Sequence, residues 1–276
     1  YRAFEDGKVE CGLCGHQCVI KPGRFGRCRV RENLDGKLFS MVYGRISAEQ
    51  IDPVEKKPLF HFLPGTLTYS LATVGCNFTC LHCQNHSLSQ VGAGGDRFSH
   101  VRRSPEEVVD TALARGCRSI SYTYVEPTVF FEFALDCCLQ ARANSLKNIF
   151  VSNGFMSRAA AEKIAGVLDG INIDIKAFQN SFYKKVCGAD GGLERVRDNV
   201  SYFHSTGVWV EVTTLLIPGL NDSDEEISRI AEFIAGIDPD ICWHVSAFRP
   251  SFKMLDRPST GFERLKRARE IGQGAG

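Results

Sequence analysis

Between residues 68 and 248 one pattern recurs six times: a short apolar, β-branched run followed by a stretch with helical periodicity. The runs are Thr68–Val74, Ser119–Tyr124, Asn148–Ser152, Gly170–Ile175, Val208–Ile217 and Trp243–Phe248. This is the pattern of βα units that build a parallel sheet. The helices carry their own boundary signals. Ser104-Pro-Glu-Glu107 combines an N-cap serine, a proline at the first helical position and a glutamate three residues on, and the periodic run after it stops at Gly116. Ser223-Asp-Glu-Glu226 repeats the box, and Leu193–His204 is closed by Gly207. Six units are two short of a closed eight-fold barrel. The expected fold is therefore α/β, an open partial (β/α)6 barrel over residues 66–276, preceded by a small cysteine-rich N-terminal appendage and linker at 1–65.

Composition narrows the function without choosing it. With 43% hydrophobic and 24% charged residues, the 276-residue chain can bury one sizeable core, as one main domain plus an appendage. A net charge of +1 gives no electrostatic case for nucleic acid. No run of eighteen apolar residues predicts a membrane span. Twelve cysteines without a secretory segment read as a reduced, cytoplasmic protein. The chain begins at Tyr1 and ends in Gly272-Gln-Gly-Ala-Gly276, so both natural termini are expected to lie beyond this sequence.

Cys76, Cys80 and Cys83 fall within eight residues in Thr73-Val-Gly-Cys-Asn-Phe-Thr-Cys-Leu-His-Cys-Gln-Asn85. A [4Fe–4S] cube normally takes four thiolates, so three leave one iron open to another ligand. Zinc usually asks for four ligands presented as paired C-x2-C knuckles, a poor match here even with His82 or His86 as a fourth. Three cysteines cannot all pair as disulfides. An iron–sulfur loop is the expectation. A second group, Cys11-x2-Cys14-x3-Cys18-x9-Cys28, lies in a Gly- and Arg-rich segment with too few apolar residues for a core of its own, so a metal would have to organise it. Four thiolates suit either zinc or an auxiliary iron–sulfur cluster. Cys117, Cys137, Cys138, Cys187 and Cys242 read as small buried hydrophobes.

Ligands of (β/α) folds collect beyond the carboxyl ends of the strands. Polar residues cluster there. The cysteine loop follows the first run, Glu126 the second, Ser152 and Asn153 end the third, and Asp174 and Lys176 end the fourth. Pro218 and Gly219 follow the fifth, and His244 and Ser246 sit in the sixth. Each has a structural alternative. Glu126 before Pro127 could interact with a helix dipole, Asp174 and Lys176 could be a same-face ion pair, and His244 could be a satisfied barrel histidine.

The C-x3-C-x2-C loop at the end of a β-like run, with His82 before its last cysteine, resembles the signature of the radical S-adenosylmethionine (SAM) enzymes. That resemblance implies a [4Fe–4S] cluster whose open iron chelates SAM, reductive cleavage to a 5′-deoxyadenosyl radical, and hydrogen abstraction from a substrate. More narrowly, Cys11-Gly-Leu-Cys14, Asp52-Pro-Val-Glu-Lys-Lys-Pro-Leu-Phe-His-Phe-Leu-Pro-Gly65, Gly75-Cys-Asn-Phe78, Tyr122-Thr-Tyr-Val-Glu-Pro-Thr128, Val210–Gly219 and Trp243-His-Val-Ser-Ala-Phe248 resemble the AmmeMemoRadiSam-system radical SAM proteins, relatives of the pyruvate formate-lyase activating enzymes. In that family the chain continues into another cysteine-bearing tail.

The resemblance implies that Tyr-Val-Glu-Pro stands where the superfamily has Gly-Gly-Glu-Pro, with Glu126 meeting the amino group of SAM. It also implies that Asp174 positions the methionine carboxylate, through a bound monovalent cation and with Ser152, Asn153 and Lys176 nearby, and that His82 packs by the adenine. His244 ranks last. An external electron donor of flavodoxin or ferredoxin type is implied, and AMMECR-type and Memo-type proteins are the implied partners. Two other functions stay open: a glycyl-radical-enzyme activase, and a non-enzymatic iron–sulfur or zinc redox protein. The substrate leaves no motif. Gln84–Arg102 and the appendage are placed as a lid.

Overall fold

Seven strands form one sheet, named here β1 to β7: Ala48–Pro53, Leu67–Ala72, Ser119–Tyr122, Lys147–Ser152, Gly170–Asp174, Trp209–Leu216 and Trp243–Ala247. Their spatial order follows the sequence, with β1 and β7 as open edges. The computed structural model describes residues 1–93 and 99–276. From β2 to β7 every neighbouring pair is parallel. Six longer helices follow these strands in turn: α1 Pro105–Ala114, α2 Phe131–Ala143, α3 Arg158–Ala165, α4 Gly192–Ser205, α5 Asp224–Ala235 and α6 Phe262–Ala275. The open (β/α)6 arrangement expected from the six runs is present. Strands β3 to β6 are buried along most of their length, as parallel strands with both faces covered should be.

Strand β1 carries no periodic signal of its own. It pairs antiparallel with β2 in full register, from Ala48 opposite Ala72 to Pro53 opposite Leu67. Its residues Ala-Glu-Gln-Ile-Asp-Pro carry little β propensity, and Pro53 is tolerated because β1 is an edge strand. Both capping serines accept a hydrogen bond from the backbone N–H three residues on. At Ser104 the box is reciprocal, Glu107 returning a bond to the serine N–H at 2.7 Å. At Ser223 it is not, because the Glu226 carboxylate turns inward to Phe178 N and Gln179 Nε2.

The segment between β1 and β2 seals the floor of the barrel. Glu211 on β6, fully buried, accepts hydrogen bonds from Phe60 N at 3.1 Å, His61 N at 3.0 Å, Trp209 Nε1 at 2.9 Å and His244 Nε2 at 2.5 Å. Asn172 Nδ2 on β5 bonds Pro58 O at 2.8 Å, and Phe62 lies against Gly170, where a Cβ would come within 3.3 Å of its ring. Leu59 packs with Val54 and Ile149.

Ahead of β1, Arg2–Ala3, Val9–Glu10 and Val19–Ile20 form a small antiparallel sheet, and Arg31–Leu34 pairs with Lys37–Ser40 as a hairpin. Its core is only Val9, Cys11 and Ile20. This segment docks on the barrel through backbone bonds from Gly15 N to Phe155 O and from Ser157 N to Leu13 O, both 2.9 Å, and through buried Arg31, which bonds Glu132 of α2 at 2.8 Å.

Candidate active site

A cavity of about 460 Å³ opens at the carboxyl ends of the strands, within the range of ligand sites. Its lining brings together Cys76, Cys80 and Cys83 with His82, Glu126, Ser152, Asn153, Asp174 and Lys176. Residues far apart in sequence meet because parallel strands all present their carboxyl ends to the same rim.

The cysteine loop leaves β2 at Thr73 and is held from below by the irregular turn Tyr183–Cys187, a π-helical segment. Thr79 N bonds Cys187 O at 2.8 Å, and Leu81 N bonds Val186 O at 2.9 Å. The Cys187 side chain also neighbours the Cys80 thiol. It is therefore part of the loop's support as well as a buried hydrophobe, which a lone cysteine in an apolar run could not announce. Cys76 Sγ accepts from Phe78 N at 3.5 Å, and Cys83 Sγ lies 3.2 Å from Ser89 Oγ. Burial pushes the Cys76 and Cys83 thiols up, and neighbouring Cys187 together with burial does so for Cys80. Thiolates here need a cationic partner. Three sulfur donors facing one cavity suit an iron–sulfur cluster.

Glu126 follows β3 and lines the cavity from a buried position. Its Oε1 accepts from Thr128 N at 3.2 Å, Thr128 Oγ1 at 2.6 Å and Ser152 Oγ at 3.0 Å, while Oε2 accepts from Asn153 N at 2.7 Å. Burial raises its pKa, and the donors of Thr128, Asn153 and Ser152 oppose that shift. Asn153 Nδ2 in turn bonds Asn77 Oδ1 at 2.7 Å, linking the rim of β4 to the cysteine loop.

The departure from Gly-Gly-Glu-Pro has a local explanation. Tyr124 occupies the first glycine position with φ +63°, a left-handed conformation that glycine adopts freely and tyrosine does not. The strain is offset by fixed contacts. Tyr124 OH donates to Asp52 Oδ2 at 2.7 Å, and the ammonium of buried Lys57 sits 4.7 Å over its ring while bonding Asp52 at 2.7 Å. Lys57 and Tyr124, both lining the cavity, thus tie the floor motif to the Glu126 loop.

Lys176 Nζ bonds Asp174 Oδ2 at 2.9 Å. Burial works against the Lys176 charge, but Asp174 together with Cys80 and Cys187 more than offsets it, so its pKa lies above the ordinary value. His82 is buried with its Nδ1 unpartnered. Burial and then nearby Lys176 lower its pKa to about 3, so the ring is neutral.

The structure does not bring His244 to this cavity. Strand alternation places Ser246 in the lining and His244 one step deeper on the same face, at the Glu211 carboxylate of the floor. Pro218 and Gly219 also fall outside the lining, Pro218 O accepting from Arg257 at 2.9 Å. Of the segment expected as a lid, Gln84, Asn85 and Ser89 line the cavity, and residues 94–98 lie outside the described residues. The appendage lines a separate small cavity, which holds Cys11, Cys14, Cys18 and Cys28 together with Asn77 of the cysteine loop.

Comparison with known proteins agrees with this geometry. The Radical SAM superfamily matches residues 70–234. An uncharacterized protein of Methanocaldococcus jannaschii is 41% identical over 272 residues, covering 98% of this chain and 80% of that protein. A (2S)-3-sulfopropanediol sulfolyase activating enzyme of Bilophila wadsworthia is 29% identical over 105 residues, covering 37% of this chain and 34% of that protein. Among solved structures, Streptococcus suis SuiB bound to S-adenosylmethionine superposes with TM-score 0.56 at 15% identity, covering 74% of this chain and 46% of that chain. TYW1 with a lysine-pyruvate adduct bound gives TM-score 0.55 at 15% identity, covering 75% and 74%. At such identities these two establish the fold.

Proposed function

Because this chain belongs to the radical SAM superfamily, we propose that Cys76, Cys80 and Cys83 hold its [4Fe–4S] cluster and that the adjoining rim seats S-adenosylmethionine. The protein is a radical SAM enzyme, and these two are its cofactors. One observation carries the residue assignment: the three thiols and the polar ends of β3, β4 and β5 line a single cavity. When bound, the cofactors supply a one-electron cleavage that releases a 5′-deoxyadenosyl radical able to abstract hydrogen from a substrate.

The chain binds, orients and shields. Glu126, immobilised by its donors, presents a carboxylate to the SAM amino group. Asp174, held by Lys176 and with Ser152 and Asn153 nearby, orients the methionine carboxylate, a monovalent cation assisting. Neutral His82 packs by the adenine. Within the superfamily we assign the protein to the AmmeMemoRadiSam system, on its Glu55-Lys-Lys-Pro-Leu-Phe-His-Phe62 floor segment. Its electron donor is then an external flavodoxin or ferredoxin, its partners are AMMECR-type and Memo-type proteins, and its location is the cytoplasm. Among the described residues no helix is long and apolar enough to cross a membrane.

After anaerobic reconstitution and reduction, SAM should yield 5′-deoxyadenosine, and Cys80→Ala should abolish that yield. Continued cleavage by the variant overturns the cluster assignment. The similarity to an activating enzyme over 105 residues favours a second reading, an activase that abstracts a glycyl hydrogen from a large partner. A glycyl-radical doublet in electron paramagnetic resonance, on mixing the reduced protein with a candidate partner, would select it.

A further inference from the structure

We propose that His61, Glu211 and Cys242, at the floor of the barrel, bind one zinc ion. The site shares no residue with either of the two cysteine groups and stands whether or not the Cys76 group holds a cluster.

Glu211 is a fully buried carboxylate, and among the described residues its ionic contacts are the imidazoles of His61 and His244, with no lysine or arginine. Buried charges are paired or coordinate metals. Phe60 N and His61 N both bond the Glu211 oxygens, which pins the backbone there and brings the His61 ring to the same carboxylate. His61 Nδ1 lies 3.5 Å from Glu211 Oε2. That is long for a hydrogen bond. It is the separation of two tetrahedral zinc ligands, about 3.3–3.5 Å for bonds of about 2.0–2.2 Å. From the neighbouring strand, Val212 N donates to Cys242 O at 2.9 Å, which sets Cys242 beside Glu211. The Cys242 thiol has a weak partner, Asp240 O at 3.9 Å. The ligand atoms of His61, Glu211 and Cys242 all lie within 4.8 Å of one another.

The donor set selects the ion. Imidazole, carboxylate and thiolate together suit zinc, whereas magnesium and calcium take oxygen ligands. Three protein ligands leave a fourth tetrahedral position for water. His61 and Cys242 border a cavity of about 540 Å³, together with His244 and Arg269, from which that water can enter. His244 Nε2, 2.5 Å from Glu211 Oε2, is too close to share an ion with that oxygen and bonds it instead, while Trp209 Nε1 bonds Oε1 at 2.9 Å. Such outer bonds orient a ligating carboxylate. They also hold the floor closed before an ion arrives.

The test treats the full chain, reconstituted with iron and sulfide, with iodoacetamide in the presence and absence of zinc, and follows each cysteine by peptide mass spectrometry. Part-buried Cys242 should react in the zinc-free protein and at least about tenfold more slowly with zinc, because the ion takes its thiolate. An equal Cys242 rate with and without zinc overturns the proposal, and this arm needs no variant. His61→Ala, at an exposed side chain, should lose the protection and bind one zinc per chain fewer than the unaltered protein. Full protection in that variant overturns the ligand set. Zinc held by the N-terminal cysteines is common to both proteins and cancels from the difference. Magnesium should not protect Cys242, and protection equal to that by zinc overturns the choice of ion.

Discussion

Glu126 shows what a single buried carboxylate asks of its surroundings. Its oxygens accept from two backbone N–H groups and two hydroxyls, so its negative charge is supported although no cation among the described residues bonds it. Glu126→Gln keeps the shape but turns an amide NH2 toward one of those donors, leaving it unpaired at a cost of about 1–3 kcal/mol. We expect SAM affinity to fall about tenfold by calorimetry while the cluster absorbance is unchanged. Equal affinity would remove Glu126 from the binding site. Tyr124 makes the complementary point. A left-handed backbone that glycine would occupy without strain is here imposed on a tyrosine and secured by Asp52 and Lys57.

At the scale of elements, the connection from β1 to β2 acts as a plug, and Glu211 is its catch. Burial alone would raise the Glu211 pKa, but the bonds from His244, Trp209, His61 and Phe60 bring it down from an ordinary 4.5 to about 2. A carboxylate whose folded pKa is depressed stabilises the fold fully above its unfolded value and loses that contribution as pH falls through the folded one. The contribution is roughly 3 kcal/mol, present above pH 4.5 and lost toward pH 2. Denaturant midpoints of the unaltered protein should therefore drop across that window, whereas Glu211→Gln should start lower at neutral pH and change less. Parallel pH profiles for the two proteins would exclude the role. The two capping serines differ at this scale too. Both Ser-x-x-Glu boxes were legible, but only tertiary contact sends Glu226 to Phe178 and Gln179 instead of back to its own helix end.

At the scale of the molecule, the N-terminal segment is joined to the barrel at specific points, and buried Arg31 against Glu132 is an ionic one. Glu132→Ala would leave the guanidinium buried without its partner. Removing one partner from a fully buried pair costs about 3–5 kcal/mol, and the half-exposed Glu132 reduces that to about 1–3 kcal/mol. We expect faster proteolysis before residue 45 and a lower melting temperature, with Glu132→Gln intermediate. An unchanged digestion pattern would show that the backbone bonds suffice. Periodicity and spacing carry local information, so the sequence by itself determined the six βα units, the cysteine triad and the rim positions of Glu126, Ser152, Asn153, Asp174 and Lys176. Tertiary structure decided the rest: the edge strand β1, the descent of His244 to the floor, the support of Cys80 by Cys187, and the contact of Cys28 with Gly75. These depend on segments far apart in the chain, 151 residues for Phe60 and Glu211, and no local pattern records which distant backbone group a buried side chain will meet.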